Sequence, residues 1–210
     1  MAALAARATR IRNPALFICD IQEKFRDHIY EFSKVVSTSQ KLLKASSPLK
    51  IPVYVTTQNR TRLGDTVSEL QPYLSSNNVI ADVDKTLFSM ITPEVLTSLQ
   101  NNNNTTSGSK VDAILVGIET HICITQTALD LLERGHRVYV LADGVSSVNA
   151  EERGVALARL RDIGVTVTTS ESIIFEILQD SKNEGFKAVN SLVKETKDDT
   201  REALKALCNL

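Results

Sequence analysis

The chain has no tryptophan, and aromatic residues make up only 5% of it. Any core must therefore be built from aliphatic side chains. The hydrophobic fraction of 42% is enough for that and too high for a disordered chain. Long apolar runs are also missing. The stretch Ala113–Val116 is stopped by Gly117, far short of the roughly 20 residues a membrane-spanning helix needs. Neither sign of charge is in excess: 24 Lys and Arg stand against 25 Asp and Glu, a formal net charge of -1. That balance argues against a dedicated nucleic-acid binder, which carries a strong basic surplus. Neither nucleic acid nor membrane is expected as a partner. Cysteine is sparse and odd in number (Cys19, Cys123 and Cys208), which excludes a disulfide scaffold and fits a reducing, cytoplasmic setting. No acidic residue precedes Asp20, and Met1–Arg12 is rich in Ala and Arg. This extension faintly resembles a mitochondrial presequence, so mitochondrial import is the lesser alternative.

What is present is an alternation of short apolar runs and helical periodicity over 210 residues, the length of one domain. Strands are predicted at 15–20, 53–57, 79–83, 111–116, 137–142 and 165–168. Between them helices are predicted over 27–47, 89–100, about 121–133 and 150–163, with helical segments to the end. The run 101–109, four asparagines followed by Thr, Ser and Gly, is too polar to pack and reads as a flexible surface insertion. The main domain is placed at 13–196. Residues 197–210 form a helical tail that Thr196–Asp199 loosens from the rest. Strand–helix repeats of this length imply an α/β fold, a three-layer α-β-α Rossmann-like arrangement around a mostly parallel six-stranded sheet. In such sheets ligands bind beyond the C-terminal ends of the strands, at a switch point in strand order.

Three strand ends carry chemistry. The first ends at Asp20, which reads either as a site carboxylate or as a helix-capping acid. The third ends near Lys85, a site cation or an ordinary surface lysine. The fourth leads into Cys123 at the start of a helix, where the positive end of the helix dipole favours a thiolate. The alternative for Cys123 is a small buried hydrophobe. Together the three make a coherent set: a thiol nucleophile, a cation to stabilise its charge and a carboxylate to move its proton. Cys19, inside an apolar strand, and Cys208, near the end, fit the nucleophile role poorly. A receiver-like signalling domain shares the strand pattern but needs an acid after strand three, where Lys85 follows Asp84.

The segments Phe17–Gln22, Lys85–Ser89 and Gly117-Ile-Glu-Thr-His-Ile-Cys123-Ile-Thr-Gln-Thr127-Ala-Leu-Asp130 resemble, in order, the isochorismatase-like cysteine hydrolases. Asp143–Ser147 adds to the match. The eukaryotic isochorismatase domain-containing proteins are the nearest likeness. The resemblance implies an Asp20–Lys85–Cys123 triad, without cofactor or metal, that cleaves a C–N bond of a small amide-type substrate through a thioester. It also implies a non-proline cis peptide between Ile118 and Glu119, and an oxyanion hole from the backbone N–H groups of Glu119 and Cys123. A homo-oligomer, dimer or tetramer, is a further implication. The histidines and Asp that hold a metal in nicotinamidase relatives are replaced here by 56-Thr-Thr-Gln-Asn-Arg-Thr-Arg-62, so that activity is not expected. Gln58, Phe25, Phe88, Thr120 and His121 are candidate substrate contacts. Four of them have a plainer reading: a solvent-facing strand end for Gln58, core packing for the two phenylalanines and helix-start capping for His121. His28 and His136 read as surface residues. The competing function is a catalytically quiet protein that keeps the fold for binding or scaffolding.

Overall fold

The structure is a computed structural model that describes residues 10–76, 78–101 and 110–208. The first nine residues of the expected extension and positions 102–109 of the expected insertion lie outside the described residues. In chain order the strands are β1 (Pro14–Cys19), β2 (Val53–Gln58), β3 (Val79–Lys85), β4 (Asp112–Ile118), β5 (Arg137–Ser146) and β6 (Thr166–Thr168). The helices are α1 (Phe32–Ser46), α2 (Arg60–Leu63), α3 (Gln71–Leu74), α4 (Pro93–Asn101), α5 (Thr125–Glu133), α6 (Ala150–Asp162), α7 (Ser170–Leu178), α8 (Phe186–Glu195) and α9 (Lys197–Leu207).

The apolar runs become strands buried on both faces, as a parallel sheet requires. The sheet order is β3-β2-β1-β4-β5-β6 and every neighbouring pair is parallel, so the six-stranded α/β expectation holds. The chain winds outward from β1 to β3, returns to lay β4 beside β1, and continues to the other edge. The switch point thus lies between β1 and β4, which pair from Pro14↔Asp112 to Cys19↔Gly117.

Alternation along β1 divides the core. Leu16 and Ile18 join Val53, Val55, Ile114 and Val116 on the face covered by α1, α7, α8 and α9. Ala15, Phe17 and Cys19 join Tyr54, Ala113 and Leu115 on the face covered by α4, α5 and α6. With few aromatics available, only one stacked pair forms among the described residues, Phe17 on Tyr54 with centroids 4.9 Å apart. No helix among the described residues is long and apolar enough to cross a membrane.

Asp112 ties the strand starts together. Its Oδ2 accepts from the backbone N–H groups of Arg12 (2.8 Å) and Asn13 (3.0 Å), and its Oδ1 accepts from Arg137 Nε at 2.5 Å. The carboxylate is buried. Asp112→Ala, which takes the carboxylate acceptor from two backbone amides and from Arg137 Nε, is expected to lower the unfolding free energy by about 2 kcal/mol. A urea denaturation midpoint indistinguishable from wild type would remove this role.

Several elements differ from the sequence expectation, helix α4 for one beginning at Pro93 and not at Ser89. Helix α1 begins at Phe32, not Asp27, because Glu31 adopts a left-handed conformation (φ 50°) that no right-handed helix includes. The preceding segment is held to the end of β5 instead: Tyr30 N–H donates to Ser147 O at 2.9 Å, and Ser146 Oγ donates to Tyr30 O at 2.5 Å. Strand β5 runs on past Ala142 to Ser146, with a register irregularity opposite β4 between Leu115 and Gly117. The last helix is continuous from Lys197 and packs on α1 and β5. Ala203 and Leu207 are buried, and the buried Lys41 donates to Thr200 Oγ1 at 2.9 Å.

Candidate active site

The site forms where β1 and β4 end. β1 stops at Cys19, and Asp20 turns the chain through the left-handed region (φ 55°) while its N–H still donates to Thr56 O on β2 at 3.1 Å. This corner buries the Asp20 carboxylate to 1% exposure. Its Oδ1 accepts from Thr56 Oγ1 and its Oδ2 from Lys85 Nζ, both at 2.7 Å. A buried carboxylate needs such partners to offset its lost hydration.

Lys85 is the last residue of β3, two strands from β1, and its side chain passes across the end of β2 to reach Asp20. The ammonium also donates to Gln58 Oε1 (2.7 Å), Leu87 O (3.1 Å) and Phe88 O (3.2 Å). Burial pushes its pKa down. The Cys19 sulfur, the Asp20 charge and the Asp20 hydrogen bond outweigh that, so the net direction is upward and the cation is held. Gln58 is occupied at both ends, since its Nε2 donates to Thr86 O at 3.0 Å. Gln22 braces this strand end, accepting from Gln58 N–H at 2.7 Å and donating to Gln58 O and Gly64 O.

Cys123 arrives from β4. The chain leaves Ile118, turns at Glu119 (φ 55°) and forms one wide helical turn, Thr120–Ile124, before α5 begins. Wide turns of this kind recur at functional sites. Thr125 Oγ1 donates to Thr120 O (2.7 Å), and Thr127 Oγ1 donates to Cys123 O (2.6 Å) while accepting from Met90 N–H (2.9 Å). Cys123 is 6% exposed. The expected cis peptide between Ile118 and Glu119 is not there: no cis bond occurs among the described residues, and the left-handed Glu119 makes the bend instead.

Asp20, Lys85 and Cys123 thus converge, and a fourth group joins them. The sulfurs of Cys19 and Cys123 and a carboxylate oxygen of Asp20 lie within 4.8 Å of one another. Cys19 Sγ donates to Asp20 Oδ2 at 3.5 Å. Burial raises the Cys19 pKa well above the ordinary thiol value, and a hydrogen bond with Cys123 and the Asp20 charge add to it. Two sulfurs and a carboxylate are also the one grouping among the described residues with a metal-ligand donor set. A cation there would sit against the Lys85 ammonium already bonded to Asp20.

The remaining candidates are arranged around this centre. Thr120 Oγ1 is buried without a hydrogen-bond partner. His121 Nδ1 lies 3.1 Å from Ser147 Oγ and 3.4 Å from Glu119 Oε2, an oxygen buried without a hydrogen bond of its own. Burial raises the Glu119 pKa, with the neighbouring His121 pulling against it. Phe88 is 52% exposed beside the equally open Leu87, whereas Phe25 is half-buried against the core of the α1 face. A cavity of about 690 Å³, lined by Ile11, Arg12, Pro48 and Lys182 among others, opens at the opposite end of the strands, away from these groups.

Sequence reasoning passed over Cys19, Thr56, Gln22 and Ser147. A usable signal existed for Cys19 alone: period-two alternation puts it on the same face as Phe17, the face that receives the helix after β4.

Residues 14–172 match the model of the isochorismatase domain. Isochorismatase family protein 1B of Dictyostelium discoideum is 41% identical over 185 residues, 88% of each chain. Isochorismatase domain-containing protein 2 of Xenopus laevis is 41% identical over 90% of this chain and 87% of its own. Among solved structures, MAR1 ribonuclease of Caenorhabditis elegans superposes with a TM-score of 0.80 at 40% identity, covering 89% of this chain and 93% of that one.

Proposed function

The chain belongs to the isochorismatase family of hydrolases, and from that premise we propose that it cleaves a C–N bond of a small amide-type molecule through a thioester on Cys123. The observation that carries the reading is the buried Asp20 carboxylate, bonded to Lys85 at 2.7 Å and within 4.8 Å of the Cys123 sulfur. It puts an acceptor for the thiol proton beside the nucleophile, with a cation balancing the charge the two share.

Asp20 takes the Cys123 proton, and the thiolate attacks the carbonyl carbon. The resulting oxyanion is received by the backbone N–H groups of Glu119 and Cys123, donors of a kind that commonly contribute about 3 kcal/mol. Asp20 returns the proton to the departing nitrogen and the C–N bond breaks, leaving an acyl thioester. Water then attacks the thioester, Asp20 accepts its proton, and the carboxylic acid leaves as the proton returns to the thiol. Thr56 and Gln58 position Asp20 and Lys85. Thr120, with its unpartnered buried hydroxyl, His121 and Phe88 are the residues that would meet substrate. The chemistry calls for no metal or cofactor, and the protein works as a homo-oligomer.

Intact-mass screening of a panel of small amides and ureido compounds tests this. Wild type is expected to show a transient acyl adduct that Cys123→Ser lacks, and to alkylate with iodoacetamide at Cys123 well before Cys19 or Cys208. Burial raises the pKa of both of those thiols, that of Cys208 to about 11, so neither competes near neutral pH. No adduct and no turnover across the panel, together with equal labelling of all three cysteines, would favour a binding protein that keeps the fold without the chemistry.

A further inference from the structure

The mechanism above leaves one buried reactive group without a role. Cys19 is fully buried, yet its thiol points into the site, donating to Asp20 Oδ2 and lying within 4.8 Å of the Cys123 sulfur. A strand residue whose task was only to fill space would be served by Ala or Val, which resist oxidation. The backbone is also arranged to bring Cys19 close. Gly117, its partner in register on β4, has no side chain, and a Cβ there would lie 2.2 Å from Cys19 O. β4 therefore passes tight against Cys19 just before it delivers Cys123.

We propose that Cys19 and Cys123 are a peroxide-sensitive thiol pair, with Cys123 the sulfur that is oxidised and Cys19 the sulfur that captures it in a reversible disulfide. The inference shares with the proposed function the reactivity of Cys123 and the use of Asp20 as a base. In the first step the Cys123 thiol attacks a hydroperoxide oxygen. The O–O bond breaks, sulfur is oxidised to a sulfenic acid, and the peroxide leaves as water or an alcohol. In the second step Cys19 attacks the sulfenic sulfur. The S–S bond forms, the S–O bond breaks, and the hydroxyl departs as water with the proton that Cys19 gives up. In total two thiols lose two electrons and two protons, and hydrogen peroxide becomes two waters.

Asp20, which accepts the Cys19 hydrogen bond, is the base for the second step, beside the Lys85 ammonium. The two sulfurs lie within 4.8 Å, and closing to an S–S bond of about 2.05 Å requires them to move toward one another. The product would block the nucleophile while protecting it from irreversible oxidation.

The test is a titration of the full-length protein with hydrogen peroxide, read by non-reducing intact mass, peptide mapping and iodoacetamide labelling, so that no substrate is needed. Wild type is expected to lose the mass of two hydrogens and to yield a Cys19–Cys123 cross-linked peptide. Labelling of Cys123 should fall at least about tenfold and recover with dithiothreitol. Cys19→Ser and Cys19→Ala should instead gain oxygen at Cys123, as sulfinic and sulfonic acids that dithiothreitol does not reverse. Cys208→Ser should behave as wild type. Rapid labelling of Cys123 without a cross-link, or equal overoxidation of wild type and both Cys19 variants, would overturn the thiol pair and leave the proposed hydrolase mechanism standing. A Cys123 that neither labels rapidly nor oxidises would overturn both.

Discussion

Replacing Lys85 with methionine is expected to destabilise the protein by about 3–5 kcal/mol and to lower turnover by about 10³-fold. Methionine preserves most of the buried stem and removes the charge together with its hydrogen-bond donors. What remains is Asp20, 1% exposed, with Thr56 as its surviving side-chain donor besides the weak Cys19 thiol, and three oxygens, on Gln58, Leu87 and Phe88, that lose theirs. An uncompensated buried carboxylate is among the costliest single defects a fold can carry.

The pH dependence has a definite sign. The folded pKa of Lys85 lies above its ordinary value of 10.5. The stabilisation it provides is therefore complete below 10.5 and is lost only as pH rises through the higher folded value. Wild type and Lys85→Met should differ by a constant amount around neutral pH and converge on the alkaline side. Adding Asp20→Asn to Lys85→Met removes the orphaned charge and should restore stability without restoring turnover. Urea denaturation of wild type and the two variants checks this. A loss below about 1 kcal/mol for Lys85→Met, or no recovery in the double variant, would mean the ion pair does not hold this end of the sheet.

The second large effect is expected at Gly117. With φ at 137°, the backbone there is one that L-residues rarely adopt, and an added Cβ would sit 2.2 Å from Cys19 O and 2.7 Å from Cys19 Cβ. Neither neighbour is a flexible side-chain tip that can swing aside. Gly117→Ala must part β1 from β4 at the centre of the sheet or bend both, and should cost more than about 4 kcal/mol or give no soluble protein. The displacement also moves Cys19 relative to Cys123, so any folded fraction should lose preferential labelling of Cys123. A variant that melts within a few degrees of wild type would show that the two central strands do not meet as closely as described.

The parallel sheet and the end at which the site lies were legible because both follow from rules with few exceptions. Apolar runs separated by helical periodicity give a parallel sheet, and a parallel sheet puts chemistry at its C-terminal edge. Asp20, Lys85 and Cys123 could therefore be named before their convergence was visible. What could not be read was anything set by contacts between strands. Gln58 ends β2 with a polar side chain, but that it spends both ends on Lys85 and Thr86 depends on where β3 lies. Cys19 looked like packing because its apolar neighbours dominate the run; alternation gives its face, but how closely it meets Cys123 depends on the pairing of β1 with β4 at Gly117. The late start of α1 has the same origin: periodicity from residue 27 favours a helix, and hydrogen bonds from Tyr30 to the end of β5 override it. The bend before Cys123, expected as a cis bond, is made by rotation at one residue, a choice that side-chain identity does not encode.

Asp20 and Glu119 close adjacent central strands with the same left-handed turn, each at φ 55°, and neither is a glycine. Such turns cost a side-chain-bearing residue on the order of 1 kcal/mol. At both positions glycine would relax the backbone and erase the carboxylate. The corner that carries a carboxylate and the most relaxed corner are thus different sequences, and substitutions selected for heat resistance alone would drift away from Asp20, the base of the proposed mechanism.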